Sequence, residues 1–243
     1  VLTYAFVLAV GLVAGTISGI VGTGSSIMLL PVLVYEFGPK QAVPIMAVAA
    51  VMANLSRIMA YYREVDWRAC AAYSITGIPA AALGARTLIE LPPHAVDITM
   101  GLFFITMVPV RHWLARRDYT VGLWALAVGG ALIGYITGIV VSSGPLSVPL
   151  FLFYGLSKGA FLATEAASSL GLYVTKSVVF ERFGALNMDV FVKGLIAGSS
   201  LMVGSFVAKR FVTRLDANTF RYVMDVVMIL AGLSMLFSAM RPL

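Results

Sequence analysis

The chain predicts an all-α polytopic membrane protein made of two inverted repeats, and three observations predict it. Its 243 residues are 60% hydrophobic and only 12% charged, with a mean hydropathy of +0.95. A soluble domain carries about a quarter of charged residues. Residues 1–35 and 119–157 hold no charge, and apolar runs longer than about 18 residues are membrane spans rather than core helices. The chain is also duplicated: Gly11, Gly15 and Gly19 recur as Gly130, Gly134 and Gly138, at an offset of 119 (130 − 11).

Each glycine triplet runs into a short break of small residues. The first reads Gly22-Thr23-Gly24-Ser25-Ser26 and reaches Pro31; the second reads Ser142-Ser143-Gly144-Pro145 and reaches Pro149. The same offset pairs Arg57 with Lys176 and Arg63 with Arg182, and Gly84 with Gly204 after one further gap. Each charge-free stretch is too long for one crossing and too short for two. It fits a helix followed by a shorter half-helix. Interrupted apolar segments at matched places in two halves point to a transporter's binding site.

The segments follow in order. The first repeat, residues 1–116, gives 2–21, a short piece 25–36, then 41–62, 67–89 and 94–114. The second, residues 117–243, gives 119–140, a short piece 145–155, then 158–180, 188–213 and 217–240. Each repeat therefore places a broken segment ahead of about three transmembrane helices. No linker or extramembrane domain separates them. The opening segment reads as a membrane helix rather than a cleaved signal, because it lacks a basic start and its copy lies mid-chain.

The net charge of +6 sits in short connections, not in a nucleic-acid-binding patch. If each broken segment returns to its own side, the cytoplasmic side collects Arg63, Arg68, Arg111, Arg116, Arg117, Lys158, Lys209, Arg210 and Arg214. Lys40, Arg86, Arg182, Lys193 and Arg241 stay outside, nine against five. A parallel arrangement gives eight against six, so the charge bias favours inverted repeats with both termini outside. The expected setting is the cell (inner) membrane.

Several residues are candidates for chemistry. Small-xxx-small faces let membrane helices approach closely, which is the reading for Gly11, Gly15, Gly130 and Gly134. The breaks need another explanation, since non-helical backbone at membrane depth survives only inside protein or against a wet cavity. A short helix after a break turns free N–H groups and a partial positive charge toward it, which favours an anion. Gly22, Thr23, Gly24, Ser25 and Ser26, with Ser142, Ser143 and Gly144, form the expected site. Residues 22–26 and 142–145 are expected to be non-helical and to meet inside the protein.

Arg57 and Lys176 lie at equivalent places near the ends of their helices. They either offset the charge of a bound anion or snorkel to the headgroups. Asn54, one turn before Arg57, is placed to bond a ligand. Glu165 lies about two turns inside its helix, where its counterpart is Met46, beside Thr164, Ser168 and Ser169. With Ser168 and Ser169 it is read either as a coupling group or as a structural one, bonding the backbone of a broken helix. No Cys/His/Asp/Glu cluster has metal-ligand spacing, and no histidine lies within a span to serve a serine nucleophile. The single Cys70 excludes a disulfide framework. No metal, no cofactor and no enzymatic role are expected.

The run Gly15-Thr-Ile-Ser-Gly-Ile-Val-Gly-Thr-Gly-Ser-Ser-Ile-Met-Leu-Leu-Pro31 resembles the opening motif of the sulfite exporter (TauE/SafE) family of integral membrane proteins. Gly155-Leu-Ser-Lys-Gly-Ala-Phe-Leu-Ala-Thr-Glu-Ala167, with Lys176 and Glu181-Arg-Phe-Gly-Ala-Leu-Asn187, is similar to the same family. The resemblance covers essentially the whole chain. It implies a multi-pass anion transporter for sulfite, organosulfonates such as sulfoacetate, or related sulfur compounds, usually in export. The family's glycine run after the first break is replaced here by Ser25-Ser26, and its second glycine-rich stretch has become Ser142-Ser143-Gly144-Pro145. The expected partners are a small anionic substrate, the lipid bilayer and a second copy in a homo-oligomer. Alternating access would move the anion, bound between the two breaks near the midplane. An anion channel and a membrane scaffold whose glycine faces bind partner helices are the alternatives.

Overall fold

The structure, a computed structural model, describes residues 2–21, 24–117, 119–140, 144–156, 158–208 and 217–240. All regular structure among them is helical. The first half holds α1 (Leu2–Val21), α2 (Ser25–Phe37), α3 (Pro39–Tyr61), α4 (Trp67–Glu90) and α5 (Pro93–Ala115), with a 3-10 turn at Tyr62–Glu64. The second holds α6 (Leu123–Ile139), α7 (Gly144–Phe153), α8 (Lys158–Arg182), α9 (Met188–Ala208) and α10 (Ala217–Ala239). Among the described residues, three stretches are long and apolar enough to cross a membrane: Lys40–Glu64, His94–Leu114 and Met188–Ala208.

Most boundaries fall within two residues of the sequence expectation, and the breaks are where they depart. Ser25 and Ser26 are not part of a non-helical break; they form the first turn of α2, and Gly144 and Pro145 likewise open α7. The turn into α2 is made by Gly24, whose φ of 111° lies in the left-handed region that a residue without a Cβ enters freely. Gly22, Thr23, Ser142 and Ser143 lie outside the described residues. The sixth helix begins at Leu123 rather than at 119, because residues 119–122 are spent on a contact with α7. There the Val121 amide donates to the Phe153 carbonyl at 3.0 Å, and the Tyr119 and Phe153 rings meet edge-on at 5.7 Å.

That contact brings the end of α7 back to the start of α6. The first half does the same, with the Tyr4 ring near the start of α1 packed 6.2 Å from Phe37 at the end of α2. At 13 and 10 residues, α2 and α7 are about 20 and 15 Å long at 1.5 Å per residue. Neither matches the ~30 Å of a bilayer's hydrocarbon core.

The two halves interlock through the glycine stripes. The α1 stripe lies on α9: a Cβ on Gly15 would come within 2.3 Å of the Leu201 carbonyl oxygen, and one on Gly19 within 2.9 Å of Ser205 Cα. The α6 stripe lies on α4, where a Cβ on Gly134 would stand 2.4 Å from the Gly77 oxygen and one on Gly138 2.6 Å from the Ala81 oxygen. Gly84 and Gly204 complete the approach from the other side, facing Tyr135 and Leu12. Contact positions rise together in both pairs, so α1 runs parallel to α9 and α6 to α4. The remaining large interfaces are α3 with α9 and α8, α4 with α8, and α5 with α10. Replacing each helix by its counterpart 119 residues away reproduces this set of partners.

The chain entering α4 is fixed by Asp66. Its carboxylate accepts from the Arg68 and Ala69 amides at 3.0 and 3.1 Å, and its own amide donates to Thr164 Oγ1 on α8 at 2.9 Å. Asn187 plays the corresponding part for α9, accepting from the Val190 amide at 2.9 Å. Such side-chain caps satisfy helix-end donors. The α3 span is the innermost, with 72% of it buried against 35% for the α5 span. Ile75, Leu83, Trp124, Leu132 and Leu233 are exposed on the outer faces of α4, α6 and α10. Apolar side chains in such number outside a protein call for lipid as the solvent.

Candidate functional site

The starts of α2 and α7 and the middles of α3 and α8 close around one small polar cavity. Its walls are Ser18 of α1, Gly24, Ser25 and Ser26, then Ala50, Ala53, Asn54 and Arg57 of α3, Gly144 of α7, and Glu165, Ser169 and Tyr173 of α8. Its volume is about 20 Å³, room for a water molecule or so. Both helices begin at this cavity, and the first N–H groups of a helix have no partner within it, an arrangement suited to negative charge.

Charge inside the cavity is organised by one ion pair. Arg57 NH1 lies 3.0 Å from Glu165 Oε2, with both side chains more than nine-tenths buried. Glu165 Oε1 accepts from Ser147 Oγ at 3.0 Å and from Ser169 Oγ at 2.9 Å. Arg57 also donates to Asn54 Oδ1, and the Asn54 amide nitrogen is held in turn by the Ala50 carbonyl at 2.8 Å. Burial of a charge is tolerated only when it is paired and hydrogen-bonded, and here α3, α7 and α8 each supply part of the pairing. Arg57 therefore points inward and does not snorkel. Ser18 Oγ, on the same wall, is buried without a hydrogen-bond partner among the described residues.

Lys176 lies outside the cavity lining. It is fully buried, its Nζ donates to the Thr137 carbonyl at 2.7 Å, and it sits over the Phe180 ring at 5.6 Å. Phe180 in turn lines a second, mostly apolar cavity of about 220 Å³, with Lys40, Leu88, Val96 and Phe183. Lys176 thus stands between the two cavities, and it too is interior. The offset explains why the two cations differ. Arg57 on α3 meets Glu165 on α8, and the reciprocal pair is Lys176 with Met46, which offers no carboxylate.

Of the remaining expected residues, Gly24, Ser25, Ser26, Asn54, Gly144 and Ser169 line the cavity. Ser168 turns away and donates to the Thr164 carbonyl at 2.7 Å. Ser18 and Ser147 were not singled out by the sequence, and Tyr173 stood out only as the counterpart of Asn54. Ser18 precedes the last glycine of its triplet as Thr137 precedes Gly138, and that matched pair of hydroxyls was the available signal. Tyr73 of α4 also approaches Glu165 and Tyr173, and its hydroxyl has no partner among the described residues.

Interlocked helices, an outer apolar surface and a buried ion pair between two helix N-termini define a polytopic membrane protein with an interior polar site. Residues 7–235 match the family model described as Sulfite exporter TauE/SafE. The chain belongs to that family. It is 22% identical to "Probable membrane transporter protein YjnA" of Bacillus subtilis (strain 168), over 95% of this chain and 98% of that one. It is 24% identical to "Probable membrane transporter protein y4hK" of Sinorhizobium fredii (strain NBRC 101917 / NGR234), over 72% and 73%. A shorter match, 23% identical over 43% of this chain and 42% of the relative, is to "Probable membrane transporter protein YunE" of Bacillus subtilis (strain 168). No solved structure gives a significant match.

Proposed function

We propose that the protein carries small sulfur-containing anions, such as sulfite or organosulfonates, across the cell membrane, with export as the expected direction. The observation that carries this reading is the convergence of Gly24–Ser26, Gly144 and Arg57 on one buried polar cavity. Two half-helices, one per repeat, present N–H groups and hydroxyls to an oxyanion there, and a guanidinium offsets its charge. The ring contacts at Tyr4–Phe37 and Tyr119–Phe153 support re-entrant half-helices, each returning to the side it came from. Gly194 meets Val48 and Gly198 meets Met52, so α3 runs parallel to α9 and therefore to α1, and α4 turns back from α3 after Tyr62–Glu64. With α6 parallel to α4, this supports inversion of the repeats.

A cavity of about 20 Å³ has room for about one water, and a sulfonate group is larger than a water. Loading an anion there requires the repeats to part. Alternating access by rocking one repeat against the other supplies that motion. The scaffold alternative needs small-residue stripes facing lipid, whereas both glycine stripes are taken up inside the protein by α9 and α4.

Binding of sulfite, sulfoacetate, taurine, thiosulfate and sulfate to the purified protein tests the reading, followed by flux of the tightest binder in proteoliposomes. Saturable binding of at least one sulfur anion with carrier-like flux is expected. Failure of all five to bind would refute it.

A further inference from the structure

We propose that Glu165 is an internal counter-anion that holds Arg57 while the site is empty, and that anion binding is linked to protonation of its carboxyl. This rests on the anion-transport reading above. Among the described residues that line the cavity, the Arg57 guanidinium is the only side-chain cation, and it is already occupied by Glu165 Oε2 at 3.0 Å. The other carboxylate oxygen takes Ser147 and Ser169 at 3.0 and 2.9 Å. The unloaded site thus carries a bound oxyanion of its own, held by a guanidinium and two hydroxyls, the donor types that would recognise a sulfonate.

An incoming anion must then either share Arg57 with Glu165 or replace it. Sharing puts two negative charges against one positive in a nearly dry pocket, where like charges disfavour each other's ionised form. Among the described residues that line the cavity, no second cation takes up the excess. Groups facing Glu165 from the helices packed on α8 are Arg57 of α3 and Tyr73 of α4, while α7 has no titratable residue and α6 presents Thr137. The 3-10 turn offers Arg63 and Glu64, both exposed near the start of α8. On α8 itself Tyr173 lines the cavity, and Lys176 lies three turns along with its Nζ on Thr137. The excess is removed when Glu165 takes a proton from water. Neutral Glu165 releases Arg57 to the anion and can still bond Ser147 and Ser169.

The consequence for transport is that one proton travels with each anion. By linkage the effect is reciprocal: if anion binding favours protonation, lower pH tightens anion binding. One linked proton sets the limit at tenfold in affinity per pH unit.

The test uses methanesulfonate, and sulfate as a second probe, because neither titrates between pH 5.5 and 8. Calorimetry in buffers of different ionisation enthalpy counts protons directly. Wild-type protein is expected to take up approaching one proton per anion in part of that range, with affinity rising several-fold as pH falls. E165Q, which keeps the shape and loses the charge, is expected to bind with no proton uptake and with affinity independent of pH. Zero uptake in wild type across the range overturns the proposal, whether or not E165Q yields folded protein, and so does uptake that persists in E165Q. If neither probe nor any of the five sulfur anions binds, the transport reading falls and this inference with it.

Discussion

Gly138 offers a direct check on how the two halves are joined. An added Cβ would lie 2.6 Å from the Ala81 oxygen, the Ala85 nitrogen and Gly84 Cα, all of them backbone atoms. Ordinary Cβ contacts lie at 3.4–4 Å and almost none fall under 3.0 Å, so α4 and α6 would have to separate by about 0.4–0.8 Å along a helix pair that also bears Gly77–Gly134. Overpacking of this kind costs about 1–3 kcal/mol. For a chain of this length each kcal/mol lowers the melting temperature by roughly 2–4 °C on soluble-domain scaling. Gly138→Ala is therefore expected to lower the melting temperature of detergent-purified protein by about 2–12 °C. Gly122→Ala is the control, since its Cβ would meet only Trp124 Cδ1 at 3.4 Å in extended backbone. The assay is thermal unfolding followed by fluorescence-detected size exclusion. If Gly138→Ala melts with Gly122→Ala and wild type, the α6 stripe is not packed on α4. It would then be free for partner helices, as the scaffold alternative requires.

Other predictions follow from the same geometry. Arg57→Gln removes the cation that faces the cavity, so sulfonate affinity should fall tenfold or more, about 1.4 kcal/mol, in protein that still elutes as folded. Equal affinity in Arg57→Gln and wild type would move the site onto the α2 and α7 N-termini alone. Lys176→Gln leaves the cavity lining intact, and its effect on affinity is expected to be smaller than that of Arg57→Gln in the same titration; a larger effect would put the substrate nearer Lys176. Asp66→Ala deprives the Arg68 and Ala69 amides of their cap and should cost about 1 kcal/mol, seen as a fall of a few degrees in melting temperature. Single cysteines placed in the repeat-equivalent connections at 63–66 and 183–187, on a Cys70→Ala background, should label from opposite sides, the first from the cytoplasm. Labelling from the same side would contradict inverted repeats.

Much of this fold is legible because lipid imposes a simple rule. A chain with residues 1–35 and 119–157 free of charge must satisfy its backbone internally, and only helices do so segment by segment. Glycine marks the ends of those segments, which is why the segment reading starts α2 at Ser25, although assigning Ser25 and Ser26 to the break as well overran its first turn. The extra length assigned to α6 had a physical cause: residues 119–122 are apolar enough to read as helix, yet they pair with the end of α7. Which helix each glycine stripe meets was not legible, since α1 turns to α9 and α6 to α4, each in the other half.

The candidate site was half visible for the same reason. The duplication picked out Arg57 and Lys176 as equals, and the structure separates them. What separates them is Glu165, an acid that the offset matches to Met46 and so presents as an isolated oddity. Its pairing with Arg57 depends on how α3 crosses α8, and no spacing within either helix encodes that crossing. Ser147 was hidden similarly, since its counterpart Met28 carries no hydroxyl. Polar residues that break the repeat proved as informative as those that keep it.

The central claim is that one anion binds between the starts of α2 and α7, against Arg57. A structure of the protein with selenate or a bromo-substituted alkanesulfonate, located by anomalous scattering, tests this most directly. The account predicts a single interior peak within hydrogen-bonding reach of Ser25, Ser26, Gly144 and Arg57, with the Glu165 carboxylate drawn off the guanidinium. A peak in the apolar cavity beside Phe180, or an unbroken Arg57–Glu165 pair with the anion bound elsewhere, would contradict it.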